Sequence, residues 1–237
     1  MLINVDVKSL EIVTAAELSG DQTFAKEIRE KIDLHEVNRD TFKLGEGKAG
    51  RLVAKVLTFR IIYGGSAYSF AHDPDFMGVS TSEKFWQGVI DQYYEKYKGL
   101  KKWHDDLLLT VMRTGQIVIP SGRYFPFEKN GYRWPLTIIK NYPVQGFGAD
   151  LVKLARIEFY QSLKMSGIPA LFVGTIHDSL VADSPEEYVL DVAKMMKTSV
   201  EKVPALCKQH YGYDFSLPMT CELKIGPNKL DMEEIFV

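Results

Sequence analysis

Three groups of residues carry the chemistry open to this chain. The first is Arg51, Lys55, Phe59 and Tyr63, within RLVAKVLTFRIIYG. On an α-helix these fall at successive i, i+4 positions, along one slowly winding stripe about 18 Å long at ~1.5 Å rise per residue. Two cations suit a polyphosphate, and the two aromatic rings that follow suit a base or a sugar. The spacing alone equally fits a surface helix with solvated cations and ordinary core aromatics. The second is Asp6, near the end of LINVDV, where a lone strand-end aspartate is most often a helix cap. The third is His177-Asp178, between the β-rich runs ALFVGTI and SLVAD, where an aspartate is usually a turn former.

The elements that must position these residues follow from the pattern of the chain. Residues 2–7 alternate, with Ile3, Val5 and Val7 on one face and Asn4 and Asp6 on the other, as in a half-buried strand. Leu10, Val13 and Glu17 then have helical spacing. A polar loop is expected over 43–50, then the helix over 51–64, anchored by Leu52, Val53, Val56, Leu57, Ile61 and Ile62 and ended at Gly64-Gly65. A helix over 80–97 starts from a Ser80/Glu83 capping box and buries Trp86, Val89, Ile90, Tyr93 and Tyr97. Gly99 should stop it, and a further helix should run over 100–114 to Gly115. For the basic-aromatic run YYEKYKGLKKW, a solvated face is favoured over core aromatics. A hairpin is expected around Ser121-Gly122, with Arg123 placed to reach a phosphate. A helix should follow over 144–165, stopped at Gly167. Strands over 171–176 and 180–182 flank His177-Asp178, a helix over about 184–203 starts from Ser184-Pro185-Glu186-Glu187, and Cys221, Leu223 and Ile225 alternate in a closing strand.

The pattern R-x3-K-x7-Y-G of 51–64 resembles motif B, the nucleotide-binding helix of the family A DNA polymerases, the bacterial polymerase I type. D-x-x-x-x-E-x-x-x-x-A-x-x-S-x-D from Asp6 resembles motif A, and His177-Asp178 resembles motif C. Asp33-Leu34-His35 matches the family's Asp-x-His, and Asn141 with Gln145-Gly146 matches its N-x-P-x-Q-G-x-x-A-D segment. The motifs occur in the family's order over almost the whole chain. The resemblance implies an α+β right-hand fold: palm over 1–18 and 141–237, with an antiparallel sheet, and helical fingers inserted over 19–140. It implies Asp6, Val7 and Asp178 as ligands of two Mg²⁺ ions, with Asp6, Asp178 and Lys55 catalytic. Arg51, Lys55 and His35 would neutralise a dNTP triphosphate, and Phe59 and Tyr63 would contact its sugar and base. Glu11 would exclude a ribose 2′-hydroxyl. Asn141, Gln145, His177 and Arg123 would contact primer-template DNA; the minor-groove acceptors that Asn141 and Gln145 would touch are nearly sequence-independent.

Two departures stand out. Ser179 replaces the family's glutamate in motif C, as in single-subunit RNA polymerases. Those enzymes, however, have glycine in place of Glu11 and methionine in place of Phe59, and lack the Q-G-x-x-A-D segment. Val13 replaces the usual arginine of motif A. Motif A also starts five residues after Met1, so the expectation is a chain without a thumb that works as half of a split polymerase. A second chain would then supply the thumb, with or without a 3′–5′ exonuclease. A non-catalytic nucleic-acid-binding fragment is the reading from a different class. A metal-dependent nuclease would use similar carboxylates but has no need of the Lys55–Tyr63 helix.

With 237 residues, 46% hydrophobic and 25% charged, the chain has the composition of an ordinary globular protein. Its net charge of −2 neither advertises nor excludes nucleic acid, because a carboxylate cluster offsets a local basic groove. No stretch has transmembrane length or signal-peptide character. Two cysteines, Cys207 and Cys221, without metal-ligand spacing fit a reducing, cytoplasmic compartment; the resemblance implies as its setting a bacterial cell, one infected by phage.

Overall fold

The computed structural model describes all residues, 1–237. The chain opens on strand β1 (Leu2–Val7), in which Ile3, Val5 and Val7 are buried, as the alternation requires. Helices α1 (Leu10–Ser19), α2 (Gln22–Arg29) and α3 (Leu34–Phe42) follow. Asp21 and Asp33 cap α2 and α3 through their side chains, the usual use of aspartate before a helix. Next come α4 (Gly47–Ile62), α5 (Ala67–Ala71), α6 (Glu83–Lys96) and α7 (Lys98–Thr114). The hairpin β2 (Gln116–Val118) and β3 (Tyr124–Pro126) leads to the long α8 (Leu136–Ser166). The last third holds β4 (Leu171–Ile176), β5 (Ser179–Asp183), α9 (Val189–Glu201), α10 (Val203–Tyr211), β6 (Cys221–Gly226) and β7 (Glu233–Ile235).

The chain divides into two compact units. One comprises Met1–Leu10, Pro120–Gly122 and Gly146–Val237. It is built on a five-stranded sheet in the order β4-β5-β1-β6-β7, in which every pairing is antiparallel. β1, in the centre, pairs Asp6 with Ser179 on one side and with Glu222 on the other. Helix α9 packs on β1 and β6, burying Val192, Ala193, Met196 and Val200. The other unit, Glu11–Ile119 and Arg123–Gln145, is helical apart from the β2–β3 hairpin. Its core is aromatic: Phe24 and Tyr93 each meet the Tyr97 ring at a tilt, with centroids 4.7 and 4.8 Å away, and Phe70, Phe76 and Trp86 form a second cluster at 5.2–5.6 Å.

Several expectations need correction. The segment 43–50 is not all loop, since α4 already begins at Gly47. Gly50 lies in its first turn, where an added Cβ would sit 2.5 Å from the backbone of Gly45. The cap of α6 is Ser82, which accepts from the Phe85 N–H, while Ser80 accepts from the N–H of Ser82. Gly99 lies inside α7 rather than stopping α6; the chain breaks two residues earlier, at Tyr97. Asp21 Oδ2 takes the N–H groups of Gly99 and Leu100 at 2.6 and 3.2 Å, so a distant carboxylate caps α7. The run YYEKYKGLKKW does not form a solvated face throughout. Tyr93 and Tyr97 are fully buried and Lys96 is largely buried against Glu27, while Glu95, Lys98, Lys101 and Lys102 are solvated, the three lysines pairing with Glu95, Asp105 and Asp106. α8 starts at Leu136, ahead of Pro143, and runs through it despite the lost N–H donor. The helix expected over 184–203 is a 3₁₀ turn at Glu186–Tyr188 followed by α9, and a further helix, α10, starts at its far end with Pro204 in its first turn.

Candidate active site

In the sheet unit, the ladder brings the two motif aspartates together. β4 and β5 are joined by a two-residue turn, with Ile176 paired to Ser179 and His177-Asp178 at the tip. Such a tight turn demands positive φ, and His177 adopts it at 54°. Val7 N donates to the Asp178 carbonyl at 3.2 Å, tying the tip of this turn to the end of β1. Ser179 Oγ donates to Asp6 Oδ2 at 2.6 Å. On the other flank of Asp6, Glu222 is paired with Lys8, 3.3 Å from carboxylate to ammonium. Asp6 and Asp178 are both half-buried, and carboxylate and carbonyl oxygens are donors of the kind Mg²⁺ prefers. No group of three or more His, Cys, Asp or Glu side chains is arranged to hold a metal by itself.

In the helical unit, α4 presents Arg51, Lys55, Phe59 and Tyr63. Its buried face is Ala54, Leu57, Thr58, Ile61 and Ile62. Leu52, expected in the core, is 61% exposed, and Val53 and Val56 are half-buried; the face is rotated so that smaller residues pack inward. Lys55 is exposed, while Arg51, Phe59 and Tyr63 are half-buried. Arg51 makes hydrogen bonds from Nε and Nη2 to Asp33 Oδ2 at 2.9 and 2.8 Å. Burial opposes ionisation of Asp33, but hydrogen bonds from Arg51 and from the backbone of Glu36 and His35 outweigh it and hold the carboxyl below its usual range. His35 is buried, 6.2 Å from the Phe59 ring, and its Nδ1 finds no partner in the protein. Burial, then the Arg51 and Lys55 charges working against Asp33, lower its pKa to about 4. The imidazole is therefore neutral at pH 7 and can offer a hydrogen bond but no charge.

At the far end of α4, Gly64 has φ 80° and closes the helix. Tyr63 OH accepts from Gln145 Nε2. Burial first, and then the nearby Glu11 carboxylate, push the Tyr63 phenol up. Glu11, in the first turn of α1, and Gln145, on α8, thus both converge on Tyr63. Asn141 lies one helical turn before Gln145 on the same face of α8. Arg123 is exposed at the start of the second hairpin arm, where its carbonyl accepts from Ile119 N. Reasoning from sequence missed Lys140, whose Cδ lies 2.7 Å from where a Cβ on Gly64 would sit, and whose ammonium burial holds below its usual pKa. A lysine one residue before Asn141 gives no local signal of that placement.

The model of DNA polymerase family A matches residues 1–231. The chain belongs to DNA polymerase family A. It is 27% identical over 238 residues to DNA polymerase I of Caldicellulosiruptor bescii, covering 96% of this chain and 26% of the relative. It is 26% identical over 245 residues to the thermostable DNA polymerase I of Thermus aquaticus, covering 99% and 27%. The chain therefore spans about a quarter of the length of these relatives. Among solved structures, the POL domain of Pol1 from M. smegmatis, in complex with DNA primer-template and dNTP, has the same fold. Its TM-score is 0.79 at 20% identity, over 95% of this chain and 39% of that one. The α+β fold expected of a family A polymerase is present, with an antiparallel sheet and a largely helical unit. No helix is long and apolar enough to cross a membrane.

Proposed function

We propose that this family A chain performs template-directed DNA synthesis, with the sheet unit as palm and the helical unit as fingers. The observation that carries this reading is the pairing of Asp6 with Ser179 and of Val7 with Asp178, which sets two motif carboxylates at one end of the sheet. In the reaction, a primer 3′-oxygen attacks the α-phosphorus of a dNTP and gives up its proton to solvent water. A new phosphodiester bond forms and the bond to pyrophosphate breaks. Asp6, the Val7 carbonyl and Asp178 would hold two Mg²⁺ ions, which when bound supply charge neutralisation and activate the attacking oxygen. Arg51 and Lys55 neutralise the triphosphate, whose transfer needs positioning and charge stabilisation more than covalent help. Lys55 gives its proton to the leaving pyrophosphate. His35, neutral, donates a hydrogen bond, and Phe59 and Tyr63 meet the sugar and base. Glu11 excludes the 2′-hydroxyl; Asn141, Gln145, His177 and Arg123 contact primer and template.

The sheet also suggests a partner. Its β7 edge carries Glu233 and Glu234, charges that discourage further pairing. The β4 edge instead exposes Leu171, Val173 and Ile176, at 69, 60 and 48%. An apolar, unpaired edge is one that proteins normally cover. In this reading a thumb-bearing polypeptide, supplied as a second chain with or without a 3′–5′ exonuclease, covers it and completes the grip on the duplex, which rests mainly on phosphate contacts. The test is primer extension by the purified chain alone and after adding such a thumb-bearing chain. The expected result is weak extension alone and processive synthesis with the partner. Full processive synthesis by the chain alone would remove the partner, and absence of extension in both conditions would remove the polymerase reading. Ser179 favours a second reading, a single-subunit-type RNA polymerase, which predicts preference for ribonucleotides and starts without a primer.

A further inference from the structure

Asp33 divides its carboxylate between two helices. Oδ1 accepts from the N–H groups of His35 and Glu36 at 3.0 and 3.1 Å, and so caps α3. Oδ2 accepts both hydrogen bonds from Arg51, on the second turn of α4. Farther along the same helix pair, Asn38 Nδ2 donates to Thr58 Oγ1 at 3.3 Å. α3 is thus fastened to the buried side of α4 at one point and to the Arg51 side chain at another. Both bonds from Arg51 leave one edge of the guanidinium, through Nε and Nη2. They use two of its five N–H donors, and the opposite edge, Nη1 with the other Nη2 hydrogen, remains for a second acceptor.

We propose that Asp33 is a positioning residue for nucleotide binding: it fixes Arg51 so that the outer edge of the guanidinium is set to receive a phosphate oxygen. This rests on the reading of α4 as the nucleotide helix. An arginine 42% exposed by its side chain would otherwise sample many rotamers, and binding a triphosphate would then have to freeze it. Pre-ordering removes that cost at the moment of binding. Asp33 is suited to the task because its own position is set by the cap of α3. The pair does not act as a lock that the nucleotide must open, because Asp33 occupies only one edge of the guanidinium. Asp33 also places His35, two residues on, by receiving its backbone N–H.

The test is a double-mutant cycle on the full chain, measuring equilibrium binding of Mg²⁺·dATP, with KM and kcat from primer extension alongside. Asp33→Asn keeps an oxygen for the α3 cap and removes the charge pair; Asp33→Ser, another good cap, serves as the second variant. Both should weaken dATP binding and raise KM on the order of 3–10-fold, as expected for one immobilised long side chain. They should leave kcat and the thermal midpoint unchanged, and add nothing in an Arg51→Ala background. Unchanged or tighter binding in both Asp33 variants, with Arg51→Ala weakened, overturns the positioning role and leaves the nucleotide site standing. An equal loss with and without Arg51 means that Asp33 acts only through the fold, and also overturns it. If Arg51→Ala binds dATP as well as wild type does, the nucleotide-site reading falls and the role of Asp33 falls with it.

Discussion

The two units place their functional groups by different means. In the sheet unit, backbone hydrogen bonds do the placing: Asp6 stands opposite Ser179, and the Asp178 carbonyl is tied to Val7 N. A register slip of one residue would turn Asp6 from the polar face to the face of Ile3, Val5 and Val7, so the position is all-or-none. In the helical unit, side chains do the placing: Asp33 holds Arg51, and Gln145 meets Tyr63. A helix face can rotate by part of a residue and still pack, as the exposure of Leu52 and the burial of Ala54 and Thr58 show. Loss of a group in the sheet unit should therefore act as a switch, and loss in the helical unit should be graded.

The largest effect that would sharpen this contrast is at the carboxylates. Asp6→Ala or Asp178→Ala should each reduce primer extension by on the order of 10³-fold or more, because several kcal/mol of charge stabilisation are lost. Both side chains are only half-buried, so circular dichroism and the thermal midpoint should be unchanged. An active Asp178→Ala protein would break the two-carboxylate assignment. In the helical unit, Glu11→Ala should be graded, raising incorporation of ribonucleotides relative to deoxyribonucleotides on the order of 10–100-fold with extension retained. An unchanged ratio in competition assays would remove Glu11 as the sugar filter.

Acid separates the units further. Burial lowers the pKa of His35 to about 4 and of His104 to about 3. In the unfolded chain both titrate near 6.5. Between those values the unfolded state binds more protons, so stability falls as pH drops from about 6.5 towards 4 and is fully present above 6.5. At about 1.4 kcal/mol per pH unit for a fully buried group, the loss can reach a few kcal/mol, less for His35 than for the deeper His104. Trp86, Trp103 and Trp134 all lie in the helical unit, so tryptophan fluorescence in urea titrations at pH 7.5, 6 and 5 reads that unit directly. A midpoint flat across this range would contradict the buried neutral histidines. The smallest effect is at the β4–β5 turn. His177→Gly should stabilise the chain by about 1 kcal/mol, because φ 54° costs about that much for a side chain. A lower urea midpoint would mean that the imidazole makes contacts worth more than the strain.

The contrast also explains what could be read from the sequence. The alternation of LINVDV and of CELKIG, and the turn residues between β4 and β5, located the central strands to within a residue, because period 2 leaves one solution. The strand β7 escaped notice, since three residues with two glutamates carry no apolar pattern. Helix existence was legible but helix limits were not. Gly99 looks like a stop, and only the distant Asp21 carboxylate makes it the first turn of α7. Pro143 looks like a boundary, and α8 runs through it. The helical spacing of Tyr93 and Tyr97 with Trp86 marked them as buried despite the neighbouring lysines, but not the remote Phe24, Phe42 and Glu27 that enclose them. The same applies to Arg51: its motif was visible, but its fastening to Asp33, 18 positions away, is tertiary and left no trace in the spacing.

The most direct test of the central proposal is single-nucleotide incorporation by the purified chain with Mg²⁺, on four primed templates that differ only in the first unpaired base. With each dNTP and each rNTP offered separately, the account predicts that the complementary deoxynucleotide is added in all four cases, and ribonucleotides far more slowly. Addition that ignores the template base, preference for ribonucleotides, or shortening of the primer in place of extension would contradict it.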